Sequence, residues 1–235
     1  MKGNRAIKIA VDVAMSVVLV ATMATALVQE VPHEWLGIAM FVLMLTHVVL
    51  NRKWILGVVR SRRKASYMLH LILIVALLVC LVGMIASSLV LSKHVFGFLP
   101  ALPGAAWARR IHMLFSYWMF VLTFAHMGLH IRLPRRMETW KLWTLRAFAV
   151  VGACYGVYAF VRLGLFDYLT GQVQFAMADF QIPLPITFLR YAGVGVLVAV
   201  VFHGVQLAIM NAWRQRRAQD RLGDAHDSGQ GGDAA

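Results

Sequence analysis

The sequence predicts an all-α integral membrane bundle, and two features carry that prediction: the length of its apolar runs and the placement of its charges. Of its 235 residues, 60% are hydrophobic and only 14% are charged, whereas soluble domains are about 45–50% apolar and about 25% charged. The apolar residues form runs of about twenty, the length a helix needs to cross about 30 Å of hydrocarbon. We expect six transmembrane helices within residues 1–216 and a disordered polar tail over 217–235.

Taken in order, each run is bounded by charged or helix-starting residues. The first follows Lys2, Arg5 and Lys8 and resembles a signal peptide, but its length favours an uncleaved helix. Pro32 suits the start of the second run, because its missing N–H is not needed in a first helical turn. The predicted runs cover residues 9–28, 33–50, 67–91, 110–131, 145–163 and 188–211.

The basic residues predict the orientation of the bundle. If the chain crosses the membrane six times, eighteen of the 23 Lys and Arg residues lie on the side of the N-terminus and five lie on the other side. Because basic residues concentrate in cytoplasmic loops, we expect both termini in the cytoplasm. The same placement accounts for the net charge of +13 without a nucleic-acid partner.

Cysteines and loops add little chemistry. Cys80 and Cys154 lie inside apolar runs and form no CxxC motif, so zinc ribbons, Cys-ligated clusters and thioether-attached haem are unsupported. The extracytoplasmic loop 164–187 carries four aromatic residues and is compatible either with an interfacial segment or with a docking site for a partner. These aromatic residues are Phe166, Tyr168, Phe175 and Phe180.

Two histidine pairs carry the functional prediction. His33 and His47 lie in the second run, His112 and His126 lie in the fourth, and both gaps are fourteen residues. A gap of fourteen leaves two side chains about 40° apart around a helix and about 21 Å apart along it. One predicted helix lies between these two in the sequence, so both cross the membrane in the same direction. His33 and His112 therefore lie at one level, and His47 and His126 lie at the other. We expect one b-type haem between each pair, because haem iron takes two axial ligands from opposite sides.

Other residues at the two levels are candidate haem contacts. Gly37 and Gly128 would let a flat macrocycle approach the backbone, although they also suit helix packing. Arginine binds carboxylates well, so arginines near each level are candidates for binding the haem propionates. The alternative is that these arginines only set the orientation of the helices in the membrane. These are Arg109 and Arg110 at the outer level and Arg52 and Arg132 at the inner level.

The inner ligand set has a competitor. His130 lies one turn beyond His126 and could ligate the inner iron in its place, although the matched spacing favours His126. His70 and His203 could line a quinone pocket, with ordinary packing as the alternative. Asp12 is the one acid in the interior of an apolar run, since Glu34 lies at the edge of the second run, and so little buried charge argues against an ion-coupled transporter.

Three stretches resemble the flavinylation-associated cytochromes, a family of multi-pass di-haem b proteins. The stretch from His33 to Trp54 is similar to that family's second helix, and the stretch from Arg110 to His130 is similar to its fourth. The stretch 166–180 resembles its late outer segment. The wider architecture is similar to that of respiratory cytochrome b and of ferric reductases, although the flavin and nicotinamide domains of the latter are absent here.

The resemblance implies membrane electron transfer beside extracytoplasmic redox partners. We therefore expect a di-haem cytochrome b subunit of the bacterial cytoplasmic membrane, linking the quinone pool to a flavin-carrying, iron–sulfur or cytochrome c partner within a hetero-oligomeric complex. A bound quinone is a further candidate ligand. The alternatives are a haem-bearing membrane anchor of a larger oxidoreductase, or a haem-free transporter or scaffold.

Overall fold

The computed structural model describes residues 2–25, 30–60, 65–98, 100, 103–131, 137–173 and 182–230. Within these residues the regular elements are all helices. They are α1 (Lys2–Thr25), α2 (Glu30–Arg60), α3 (Ala65–Leu91), α4 (Ala105–His130), α5 (Thr139–Arg162), the short α6 (Leu165–Leu169) and α7 (Leu184–Gln230).

Six of the described helices are long and apolar enough to cross a membrane, all except α6. This confirms the predicted all-α bundle of six candidate spans. Most helices extend beyond the predicted apolar runs, because polar residues continue a helix once its apolar part has nucleated it. The orientation of the termini stays a prediction.

Helix α4 lies at the centre of the bundle and packs against α3 and α7. Helix α5 packs on the far side of α7, while α1 packs against α2 and, less extensively, against α7. Small residues permit the closest approaches: a Cβ atom added to Gly128 would collide with the backbone of Ala199, and one added to Gly156 would collide with that of Gly193. Glycines at helix crossings commonly allow such close packing in membranes.

Helix α2 stands apart from α4, although their histidines meet. In the described part of the chain, α2 packs mainly against α1, touches α3 sparsely, and does not lie side by side with α4. Beside Gly37 on α2, an added Cβ atom would meet nothing within 4 Å.

The buried core lies on the other side of α4, against α1, α6 and α7. Its fully buried large side chains are Phe120, Leu165 and Val194. Tyr168 of α6 stacks on Tyr117 of α4 with ring centroids 4.3 Å apart. The helix α6 therefore holds the first part of the loop 164–187 against the bundle, while Phe175 and Phe180 lie outside the described residues.

The tail differs from its prediction. A disordered segment is expected over 217–235, but α7 continues to Gln230, so the prediction is wrong for residues 217–230. Strong helix formers such as Arg, Gln, Ala and Leu follow the apolar part of α7 without a proline. Extending an existing helix needs no new nucleus, which favours its continuation. Residues 231–235 lie outside the described part.

Candidate functional site

Two layers of histidines join α2 to α4. In the His33 layer, the rings of His33 and His112 lie with centroids 6.1 Å apart and planes at 69°. In the His47 layer, His47 of α2 lies close enough to His126 of α4 to interact with it electrostatically. Because residues fourteen positions apart meet at both levels, α2 and α4 run parallel, as the matched spacing predicts.

The backbone of α1 holds His33. Its Nδ1 atom lies 3.1 Å from the carbonyl oxygen of Thr22. A carbonyl oxygen only accepts hydrogen bonds, so Nδ1 carries the proton and donates it. The Nε2 atom of His33 is then left with an exposed lone pair, which is the state that a metal requires of an imidazole.

Two serines of α3 hold His112. Its Nδ1 atom lies 3.3 Å from Oγ of Ser87 and 3.4 Å from Oγ of Ser88. The single hydroxyl proton of Ser87 is donated to the carbonyl of Gly83 at 2.7 Å, so its oxygen can only accept from His112. The Nε2 atom of His112 therefore also carries a lone pair.

A carboxylate holds His47. Its Nδ1 atom lies 2.7 Å from Oδ1 of Asp12 on α1, a short, charge-assisted contact. Asn51, one turn further along α2, donates to the His47 carbonyl at 3.0 Å and accepts from Nζ of Lys8 at 3.0 Å. An ionised carboxylate is an acceptor only, so Nδ1 of His47 donates, and Nε2 is the ring nitrogen that a neutral His47 would offer to a metal.

His33 and His112 are the residues that would hold one haem. Their ring centroids lie 6.1 Å apart, and both rings are held through Nδ1, which leaves Nε2 of each as the atom that would bind the iron. Metal-ligating histidines usually donate their second ring nitrogen to a carboxylate, carbonyl or water, and three of the four paired histidines are held through that nitrogen.

The described residues do not form a metal cage of their own. Among them, no group of three or more His, Cys, Asp or Glu side chains is arranged to hold a metal ion.

The His47 layer contains additional imidazoles. The ring centroid of His130 lies 4.6 Å from that of His126 and 5.0 Å from that of His70 on α3. His70 is buried. His130 thus lies close to both other rings, and His126 interacts electrostatically with His47, His70 and His130. On α7, Nδ1 of His203 is buried without a hydrogen-bond partner among the described residues.

A second carboxylate fixes the start of α2. Glu34, next to His33, accepts from Oγ of Ser92 at 2.8 Å. It also accepts hydrogen bonds from the backbone N–H groups of Lys93 at 3.0 Å and Val95 at 2.9 Å. The side-chain Nζ of Lys93 forms an ion pair with Glu30 at 3.0 Å. These bonds tie the beginning of α2 to the segment after α3, the helix whose serines hold His112.

The predicted glycines have different surroundings. The space beside Gly37, one turn from His33, is open, which leaves it a candidate for contact with a macrocycle. Gly128 faces α7 and packs against the backbone of Ala199. Its assignment to cofactor binding is therefore corrected to helix packing, because α7 already occupies the space where its side chain would be.

Three of the four predicted arginines lie on described helices close in sequence to the paired histidines. Arg109 and Arg110 are exposed in the first turns of α4, ahead of His112, and Arg52 is exposed after Asn51. Arg132 lies outside the described residues. Their assignment to haem propionates stays a prediction.

Sequence reasoning missed the side chains and backbone that orient the histidines. Asp12 drew notice as an acid in an apolar run, and such a residue in a span asks for a partner; His47 is that partner. The pair Ser87–Ser88 gave a similar but weaker signal in the most apolar helix. The Thr22 carbonyl left no signal, because every residue has one.

No protein-family model matches the chain, and neither a curated protein nor a solved structure shows significant similarity to it. The resemblance to the flavinylation-associated cytochromes stays a prediction. The geometry of the two layers is the basis for assigning a function.

Proposed function

We propose that this chain is a di-haem b-type cytochrome subunit that relays electrons across the membrane between the quinone pool and an extracytoplasmic redox partner. The observation that carries this proposal is the pairing of His33 with His112 at 6.1 Å, with both Nδ1 atoms held by α1 and α3. An isolated histidine in a span is usually explained by packing, but two matched pairs on parallel helices are much harder to explain in that way.

The protein's role in this proposal is to fix ligands. His33 and His112 would hold one haem and His47 and His126 the other, with His130 as the competing ligand in the His47 layer. When bound, each haem supplies reversible one-electron chemistry, whose potential depends on axial ligands, hydrogen bonds and burial. The Thr22 carbonyl, the Ser87 and Ser88 hydroxyls and the Asp12 carboxylate fix the ring orientations.

The uneven distribution of Lys and Arg residues predicts which end of the bundle faces the cytoplasm. With both termini in the cytoplasm, the His33 layer is the outer one and the His47 layer the inner one. Fourteen helical residues separate the levels by about 21 Å, most of the thickness of the hydrocarbon core. The resemblance to the flavinylation-associated cytochromes supports a location in the bacterial cytoplasmic membrane, in a complex with an extracytoplasmic redox partner.

Transmembrane electron transfer can be measured directly. Purified protein is incorporated into vesicles that enclose ferricyanide, an impermeant oxidant, and dithionite is added outside. The expected result is faster ferricyanide reduction than in protein-free vesicles, in wild type but not in the His33→Ala or His47→Ala variants, because the relay needs both layers. A wild-type rate equal to that of protein-free vesicles would contradict the relay.

The same preparations separate the rival functions. A haem-bearing membrane anchor would show b-type bands in the reduced-minus-oxidised spectrum without transmembrane transfer. A haem-free transporter or scaffold would show neither. Both results would overturn the proposed relay.

A further inference from the structure

The two layers differ in the charge of the groups that hold their histidines. Asp12 accepts the Nδ1–H bond of His47 at 2.7 Å, whereas His33 donates to a neutral carbonyl and His112 to neutral hydroxyls. We infer that Asp12 is a positioning residue that lowers the reduction potential of the His47 site. This inference rests on the proposed function and assigns one of its residues a role in setting a potential.

The physical reason lies in the basicity of the ligand. A carboxylate that accepts the Nδ1–H bond draws the proton toward itself, which raises electron density on the ring and makes Nε2 a stronger donor. A stronger donor and a nearby negative charge both stabilise the oxidised metal, which carries one more positive charge. Neutral carbonyl and hydroxyl partners have the same orienting effect without that charge.

The other charged and polar groups around His47 leave this contribution in place. Lys8 is the cation in the network, but it donates to Asn51, and Asn51 donates to the His47 carbonyl. The hydrogen bond of Lys8 is to Asn51, whose amide nitrogen lies 3.4 Å from Nδ1 of His47, whereas Asp12 contacts that Nδ1 atom directly at 2.7 Å.

The test is a potentiometric titration of the full-length, haem-loaded protein in wild type and three variants. Asp12→Asn removes the charge but keeps an acceptor oxygen, and Asp12→Glu restores the charge. Glu138→Gln is the matched control, since it removes an exposed carboxylate that pairs with Lys141. The His47→Ala variant identifies which of the two potentials belongs to the His47 site.

We expect Asp12→Asn to raise the potential of the His47 site by at least a tenfold change in equilibrium constant, about 59 mV for one electron. The His33 site should move less, Glu138→Gln should move neither, and Asp12→Glu should stay close to wild type. Loss of one haem in Asp12→Asn but not in Asp12→Glu would also support the positioning role.

Three results would overturn the inference. They are a shift in Asp12→Asn no larger than in Glu138→Gln, equal shifts at both sites, and loss of the same haem in Asp12→Asn and Asp12→Glu alike. A wild-type protein without haem would instead defeat the proposed function, so the two failures are distinguishable.

Discussion

The His33 and His47 layers are built from the same two helices at the same spacing, yet their surroundings differ. The His33 layer is a closed pair: two rings 6.1 Å apart, each held by neutral groups of a neighbouring helix. The His47 layer is a cluster, with a carboxylate behind His47 and two further imidazoles beside His126. Equal spacing therefore does not produce equal sites, because the supporting helices α1 and α3 contribute different groups.

The largest expected effect follows from removing a ligand. His33→Ala or His112→Ala should each reduce the haem content from two per chain to one, because a bis-histidine site loses half of its protein ligands. His47→Ala should remove the other haem. Haem extracted from the purified protein, measured against protein concentration, checks this. An unchanged content of two in any of these variants would break the assignment of the layers.

The His47 cluster predicts an asymmetric result for its two candidate ligands. His126→Ala should remove the haem of the His47 layer, whereas His130→Ala should retain it, because the fourteen-residue spacing places His126 level with His47. The haem content of the two variants, prepared in parallel, provides the comparison. The opposite pattern would assign the ligand to His130.

Gly37 and Gly128 differ in what lies beside them. A Cβ atom at Gly128 would meet the Ala199 backbone, whereas one at Gly37 meets nothing within 4 Å. Gly128→Ala should therefore lower the stability of the haem-free protein by about 1–3 kcal/mol, the usual cost of overpacking. Gly37→Ala is its control. Thermal unfolding in detergent checks both, and equal effects would contradict the assigned packing.

The smallest effect should come from one serine of the His33 layer. Ser87→Ala removes the acceptor at 3.3 Å, but Ser88 remains at 3.4 Å from His112 Nδ1. The affinity of the His33 layer for haem should fall less than tenfold in Ser87→Ala. It should fall by about 10–100-fold when both serines are replaced, as for other residues that orient metal ligands. Haem titration of the apoprotein measures this. A double variant with wild-type affinity would exclude the serines from a positioning role.

The sequence was sufficient for the helices and for the histidine pairs, because apolar length and helical periodicity are local properties. It predicted Gly128 as a cofactor contact, and only the approach of α7 shows that the position is filled. The carbonyl of Thr22 and the serines of α3 could not be assigned in advance, since their role depends on which helices become neighbours. The helical tail to Gln230 was missed because composition alone does not account for propagation from an existing helix.

The central claim is that one chain holds two haems, one in each histidine layer. The most direct test is the haem-to-protein ratio of the purified chain, determined as the pyridine haemochrome, together with its reduced-minus-oxidised spectrum. The account predicts b-type bands and two haems per chain. A ratio near zero, or a spectrum without b-type bands in protein purified from haem-replete cells, would contradict it.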